Sequence, residues 1–176
     1  GIESFVLGAV FWKLFPESRF FNPQKTDYHL KVKQMKFFLT NPYMLRLYRT
    51  AALLMGVFVS VYNYLTFRLE AKPFSLSHFI IAFIFLMYIF GVFGTMIVGR
   101  LSRKFPMNDI LKASILSMLT GAALLLSENI YVLIFGLGLF TLSFFAAHTM
   151  ASQMTALYAK RGKSSATSIY WLFYYF

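Results

Sequence analysis

The sequence predicts an all-α protein, a polytopic membrane helix bundle, on three observations. Hydrophobic residues make up 59% of the 176 and charged ones only 13%, with a mean hydropathy of +0.63; a soluble domain runs near a quarter charged because its surface has to be wetted. Residues 73 to 99 pass 27 positions without Asp, Glu, Lys or Arg. The apolar runs are separated by short basic stretches, of which Gly94-Thr95-Met96-Ile97-Val98-Gly99-Arg100-Leu101-Ser102-Arg103-Lys104-Phe105 is the most compact. Such a turn is where a membrane-spanning chain meets water.

Taken in order, residues 1 to 16 read as the last turns of a helix closed by Pro16, which cannot continue one. The run Phe5 to Phe15 is below the ~17 residues needed to span, and its basic residues follow the apolar part, so it does not read as a signal peptide. Both ends of the chain are expected to be cut inside helices. Residues 17 to 42 form a linker whose lysines alternate with Leu30, Val32, Met35, Phe37 and Phe38, the mixture of a short amphipathic helix at the headgroups. The bundle occupies 43–176. Asn41-Pro42 supplies an N-cap and a first helical proline, and helices are predicted at about 43–67, 77–98, 107–126 and 130–157, with a truncated one over 165–176.

Positive charge fixes the expected orientation. With loops assigned alternately to the two sides, 15 of the 17 Lys and Arg residues fall on one side and only Arg68 and Lys72 on the other. Positive residues are retained on the cytoplasmic side, so the basic turns are expected to be cytoplasmic. The net charge of +11 is then a matter of topology, and nucleic acid is not expected as a partner. Cysteine is absent, which removes disulfides and thiolate metal sites; the scattered His29, His78 and His148 show no metal-ligand spacing, and no cofactor or metal is expected.

The Gly94 to Lys104 stretch resembles a degraded copy of the loop signature of the major facilitator superfamily, Gly-x-Leu-Ala-Asp-Arg-x-Gly-Arg-Lys. Leu14-Phe15-Pro16-Glu17-Ser18 is similar to the Leu-Pro-Glu-Ser/Thr pattern that ends that family's sixth helix, and Asn63-Tyr64 with Arg68-Leu69, together with Phe144-Phe145-Ala146-Ala147-His148, resemble its bacterial efflux-type branch, the drug/proton antiporters. The resemblance covers essentially the whole chain. It implies the end of helix 6, the central cytoplasmic linker, helices 7 to 10 and the start of helix 11, that is, part of the C-terminal six-helix half. The signature's acidic residue is missing, with Val98 or Gly99 at its place. Gly94 and Gly99 carry over as positions of the loop signature, and Arg100, Arg103 and Lys104 as positive-inside anchors and partners for lipid headgroups, without the acidic pairing at the gate.

Polar groups inside spans face the bundle or a wet cavity, since lipid offers them no partner. Thr141, His148, Ser152 and Thr155 recur on one face of the fourth full span, and Ala52, Gly56, Ser60 and Asn63 make a small or polar stripe on the first. A substrate site is expected from Tyr62, Asn63, Tyr88, His148 and Gln153, with Met55 and Phe145 as adaptable walls; tyrosine faces hold cations and methionine repacks around varied shapes. Asn63 has the alternative of bonding across to a neighbouring helix, and His148 of packing as a neutral side chain. For proton coupling the candidates are His148, which titrates near neutral pH, and Glu3, ten residues or ~15 Å from Lys13 along a helix.

The expected function is a secondary transporter in the bacterial inner (plasma) membrane. It would export a small hydrophobic or cationic solute by alternating access in exchange for protons, its partners being the solute, the proton, membrane lipids and an N-terminal half of the same transporter. A nutrient importer of the same fold, and a membrane-embedded enzyme or assembly subunit, remain the alternatives.

Overall fold

The computed structural model describes residues 2–14, 28–160 and 162–176. Phe15 to Ser18 of the Leu-Phe-Pro-Glu-Ser pattern, and Arg19, Lys25 and Arg161 of the charge count, lie outside them. Eight α-helices succeed one another, with no strand among the described residues: α1 (Ile2–Leu14), α2 (Tyr28–Thr40), α3 (Pro42–Glu70), α4 (His78–Ile84), α5 (Ile89–Leu101), α6 (Met107–Leu124), α7 (Ile130–Tyr158) and α8 (Lys163–Tyr175). The chain is an all-helical membrane bundle. Among the described residues three helical stretches are long and apolar enough to cross a membrane: Pro42–Glu70, His78–Leu101 and Ile130–Tyr158. α6, 18 residues long, is not among the three, because Asn108, Asp109 and Lys112 make its start polar.

Two of the long helices begin with the same device. The Asn41 side chain accepts from the N–H groups of Tyr43 and Met44 at 3.0 and 3.1 Å, with Pro42 in the first helical position. Asn129 accepts from those of Tyr131 and Val132 at 2.9 and 3.4 Å. Each cap satisfies N–H groups that a helix start leaves without an intrahelical partner.

α7 is the axis of the bundle. It and α3 are both 29 residues long, yet α7 buries 14 of its residues and α3 only 9. Along α3, Met44, Leu47, Tyr48, Ala51, Leu54, Phe58, Tyr62, Leu65 and Leu69 recur at helical spacing and make one inward stripe. α7 instead packs against α3, α5, α6 and α8, so it is apolar around most of its circumference.

Close approach to α7 depends on glycines. Gly94 of α5 lies against the backbone carbonyl of Leu142, where a side chain would overlap it. A Cβ on Gly121 of α6 would stand 2.6 Å from the Phe140 nitrogen and 3.0 Å from the Gly136 oxygen. The backbones of α6 and α7 therefore meet with no side chain between them, the packing mode that small residues permit in membranes.

The span expected over 77–98 is not one regular helix. Residues Phe85–Tyr88 form a 3-10 turn between α4 and α5, and α5 runs on to Leu101, where Ser102 caps it. At the other face of the bundle, the Arg68 guanidinium closes the carboxyl end of α6: it donates to the carbonyl of Leu125, to that of Leu126 at 2.8 Å and to that of Ser127 at 3.1 Å. A cation there matches the negative end of the helix dipole.

Gly121→Ala is expected to destabilise the full-length protein in detergent by ~1–3 kcal/mol, because two backbones have to separate. Gly99→Ala meets open space inside a helix and is expected to be neutral or to stabilise by up to ~1 kcal/mol; thermal unfolding of the two variants reads the opposite signs. Arg68→Ala is expected to cost about 1–2 kcal/mol by the same measurement, with Arg68→Lys recovering only part, since an ammonium does not reproduce the planar fork.

Candidate functional site

One aromatic seam runs through the bundle. It begins where α3 faces the 3-10 turn: the Tyr62 ring is 4.9 Å from that of Tyr88, 5.5 Å from Phe85 and 4.8 Å from Phe58. Phe58 then stacks on Phe144 of α7 at 3.9 Å and meets Tyr88 and Phe145 edge-on at 5.5 and 6.0 Å. Phe144 continues to His148 at 6.2 Å, and His148 is surrounded on α8 by Tyr174 at 4.6 Å, Trp171 at 5.4 Å and Tyr170 at 5.7 Å. The spacing along each helix explains the continuity. Phe144 and His148 are four residues apart on α7, and Tyr170 and Tyr174 are four apart on α8, so each pair shares a face.

Two polar contacts punctuate the seam. Tyr62 and Thr141 share a hydrogen bond of 2.7 Å between buried side chains. His148 Nδ1 lies 3.0 Å from the Tyr170 hydroxyl, which is also 3.3 Å from the His148 carbonyl. The phenol has one proton for these two neighbours. Both contacts are satisfied together when Nδ1 carries the imidazole hydrogen and donates to the phenol oxygen, while the phenol donates to the carbonyl.

Of the residues singled out in the sequence, the structure brings Tyr62, Tyr88, Phe145 and His148 onto this seam. Met55 and Gln153 are half-buried, on α3 and α7 respectively. Asn63 is exposed; one residue on from buried Tyr62, it is turned ~100° around the helix, and the stripe of Gly56, Ser60 and Asn63 looks away from the described core. Thr155 bonds back to the Ala151 carbonyl at 2.9 Å and is taken up within its own helix. Glu3 is exposed in the first turn of α1, none of whose residues is buried.

The basic turn divides in role. Gly94 serves the contact with α7, Gly99 has nothing within 4 Å of where a side chain would start, and Arg100, Arg103 and Lys104 are exposed at the end of α5. Among the described residues the ion pairs are His78 with Glu70 at 3.0 Å and Lys112 with Asp109 at 3.9 Å, so none of those three cations is paired within the described chain. No group of three or more His, Asp or Glu side chains that could hold a metal occurs among the described residues.

Phe58, Phe85 and Phe144, the last quoted only within the efflux-type stretch, join the seam with Tyr170, Trp171 and Tyr174 without having been picked out as site residues. The first three sit among many other phenylalanines, 22 in the chain, and nothing in the sequence sets them apart. Tyr170-Trp171 and Tyr174 do carry a readable signal, three aromatic residues with polar tips on one helix, but on a stretch expected only as a truncated end they have no neighbour to be placed against.

Comparison with known proteins is consistent across the chain. The Major Facilitator Superfamily model matches residues 1–176. An uncharacterized transporter of Buchnera aphidicola subsp. Schizaphis graminum is 34% identical over 99% of the chain, which spans 42% of that protein. YybF, an uncharacterized MFS-type transporter of Bacillus subtilis, is 30% identical over 99% of the chain and 43% of its own length. For the Escherichia coli inner membrane transport protein YnfM the figures are 30%, 99% and 42%. No solved structure matches. The chain thus spans less than half the length of these relatives, and the residues matched include the spans, the basic turn and the seam: it belongs to the Major Facilitator Superfamily, a family of transporters and not of enzymes.

Proposed function

We propose that the whole protein is a secondary active transporter, crossing the bacterial inner membrane several times. It exports a small hydrophobic or cationic solute by alternating access, in proton antiport, as in the drug/proton antiporter branch. The chain supplies the end of helix 6, the central linker, helices 7 to 10 and the start of helix 11, and works against an N-terminal half. The length of the relatives, of which the chain spans 42–43%, supports the second half, and the name of the Escherichia coli relative, an inner membrane transport protein, supports the inner membrane.

The observation that carries the solute class is the seam itself. Along it Tyr88 and Trp171 keep exposed ring surface and Phe145 and Tyr174 are partly open, backed by buried Phe58, Tyr62 and Phe144, with hydroxyl and imidazole groups only at intervals. Ring faces attract cations and apolar groups without requiring one shape, whereas a sugar would need a dense set of hydrogen-bond partners. The site residues proposed are Tyr62, Tyr88, Phe145 and His148 on the seam, with Met55, Asn63 and Gln153 beside it. His148 is the proposed proton carrier, held by Tyr170, and Glu3 the second candidate.

Full-length protein reconstituted in liposomes tests the reading. A fluorescent lipophilic cation is expected to leave the binding side against its gradient as protons move the other way. Inward solute movement together with protons would overturn the export reading in favour of an importer. His148→Gln is expected to reduce proton-coupled transport at least ~10-fold while leaving energy-independent exchange measurable, and Glu3→Gln is measured beside it; whichever variant keeps full coupling is removed as a carrier.

Binding assays address the seam separately. Tyr88→Leu removes an exposed ring face and is expected to weaken cation binding ~10-fold, whereas Tyr88→Phe keeps the face and is expected to stay within ~3-fold.

A further inference from the structure

We infer that the groove between α2 and the carboxyl end of α7 is a binding site for the headgroup of an anionic phospholipid. The groove encloses about 780 Å³, with Lys33 on one side and Lys160 on the other. Leu30 and Phe37 of α2 and Tyr158 of α7 form its apolar walls, and buried Phe38 forms its floor. Neither lysine has a carboxylate partner among the described residues. Two exposed lysines lining one cavity make it attractive to a shared anion, and phosphate is the anion that lysine meets as a point charge.

Depth selects a lipid over a free anion. α7 is one of the apolar spanning helices, and it ends at Tyr158, two residues before Lys160. The groove therefore sits where hydrocarbon gives way to water, the level at which tyrosines and lysines collect and where headgroup phosphates lie. Leu30, Phe37 and Tyr158 are exposed at 52%, 58% and 44%, and that open apolar surface fits the glycerol and first methylenes of a lipid better than a hydrated ion.

Occupation would also fix the linker. α2 is attached to the bundle by Phe38 and by the Gln34 side chain, which accepts from the Ser165 hydroxyl at 3.3 Å and lies against Gly162. A headgroup spanning Lys33 and Lys160 adds a second tie, from α2 to the end of α7. The site thus couples leaflet composition to the position of the linker helix. The inference rests on the reading that these ends face the anionic cytoplasmic leaflet, but binding measured in detergent reports on the groove whichever side it faces.

The experiment is equilibrium binding of fluorescent phosphatidylglycerol to the full-length protein in uncharged detergent micelles, with phosphatidylcholine as the neutral comparison. Saturable binding with preference for phosphatidylglycerol is expected. K33Q/K160Q is expected to weaken it roughly twentyfold, about fivefold per lysine. R46Q/R49Q removes the same charge from exposed positions on α3, outside the groove, and is expected to stay within about twofold; an equal loss in both would overturn the groove in favour of diffuse attraction. Competition by millimolar inorganic phosphate would overturn the lipid in favour of a small anion. Phe37→Ser adds a discriminating variant, expected to lower lipid affinity without changing the binding of glycerol phosphate; an unchanged lipid affinity would remove the apolar wall from the proposal.

Discussion

Inside hydrocarbon a polar group finds its partner on the protein or has none, and the interior of this bundle is arranged around that constraint. Among the described residues no buried side-chain nitrogen or oxygen lacks a hydrogen-bond partner. Tyr62 meets Thr141, Tyr48 donates to the Ala166 carbonyl at 3.2 Å, Ser143 donates to Ser117 at 2.8 Å, and Tyr170 meets His148. Each of these bonds joins two different helices. With lipid as apolar as leucine, burying a leucine between two helices gains little, so such bonds and the glycine contacts bear much of the specificity of assembly. Arg68 obeys the same logic at the rim, where the open carbonyls of α6 receive the nearest cation.

The same constraint governs how much of the molecule is legible in its sequence. The all-helical membrane class comes from long uncharged runs, and the helix starts at Asn41 and Asn129 come from residue types that act locally. Features that depend on helix phase or on a distant partner are hidden. Asn63 and Tyr62 are neighbours in sequence, and a hydrophobic pattern does not tell which of two adjacent polar residues points inward on a helix that is apolar on more than one side. The 3-10 turn at Phe85–Tyr88 has no Pro, Gly or charge within it to announce it. The cage around His148 needs α8, whose position depends on Tyr48, on Gln34 and on the turn at Gly162.

Family membership and site chemistry rest on different supports. The match to the superfamily spans the whole chain although its loop signature lacks the acidic residue, so membership is carried by the spans and their order more than by that motif. The basic turn accordingly reads as an anchor at the membrane surface. The proposed chemistry lies inward, on the aromatic seam, and outward, at Lys33 of the linker helix and Lys160 just beyond α7.

The 3-10 turn also sets a rotational offset within one membrane span. A 3-10 helix advances ~120° per residue against ~100° in an α-helix, so four residues rotate the helix beyond them by ~80° relative to an unbroken one. Ile81 and Ile84 below the turn and Gly91, Gly94 and Val98 above it would otherwise share one face. With the offset, α4 reaches α3 while α5 lies along α7. One span thereby presents one face to α3 at its start and a different one to α7 along the rest of its length, which a single unbroken helix of the same sequence would not do.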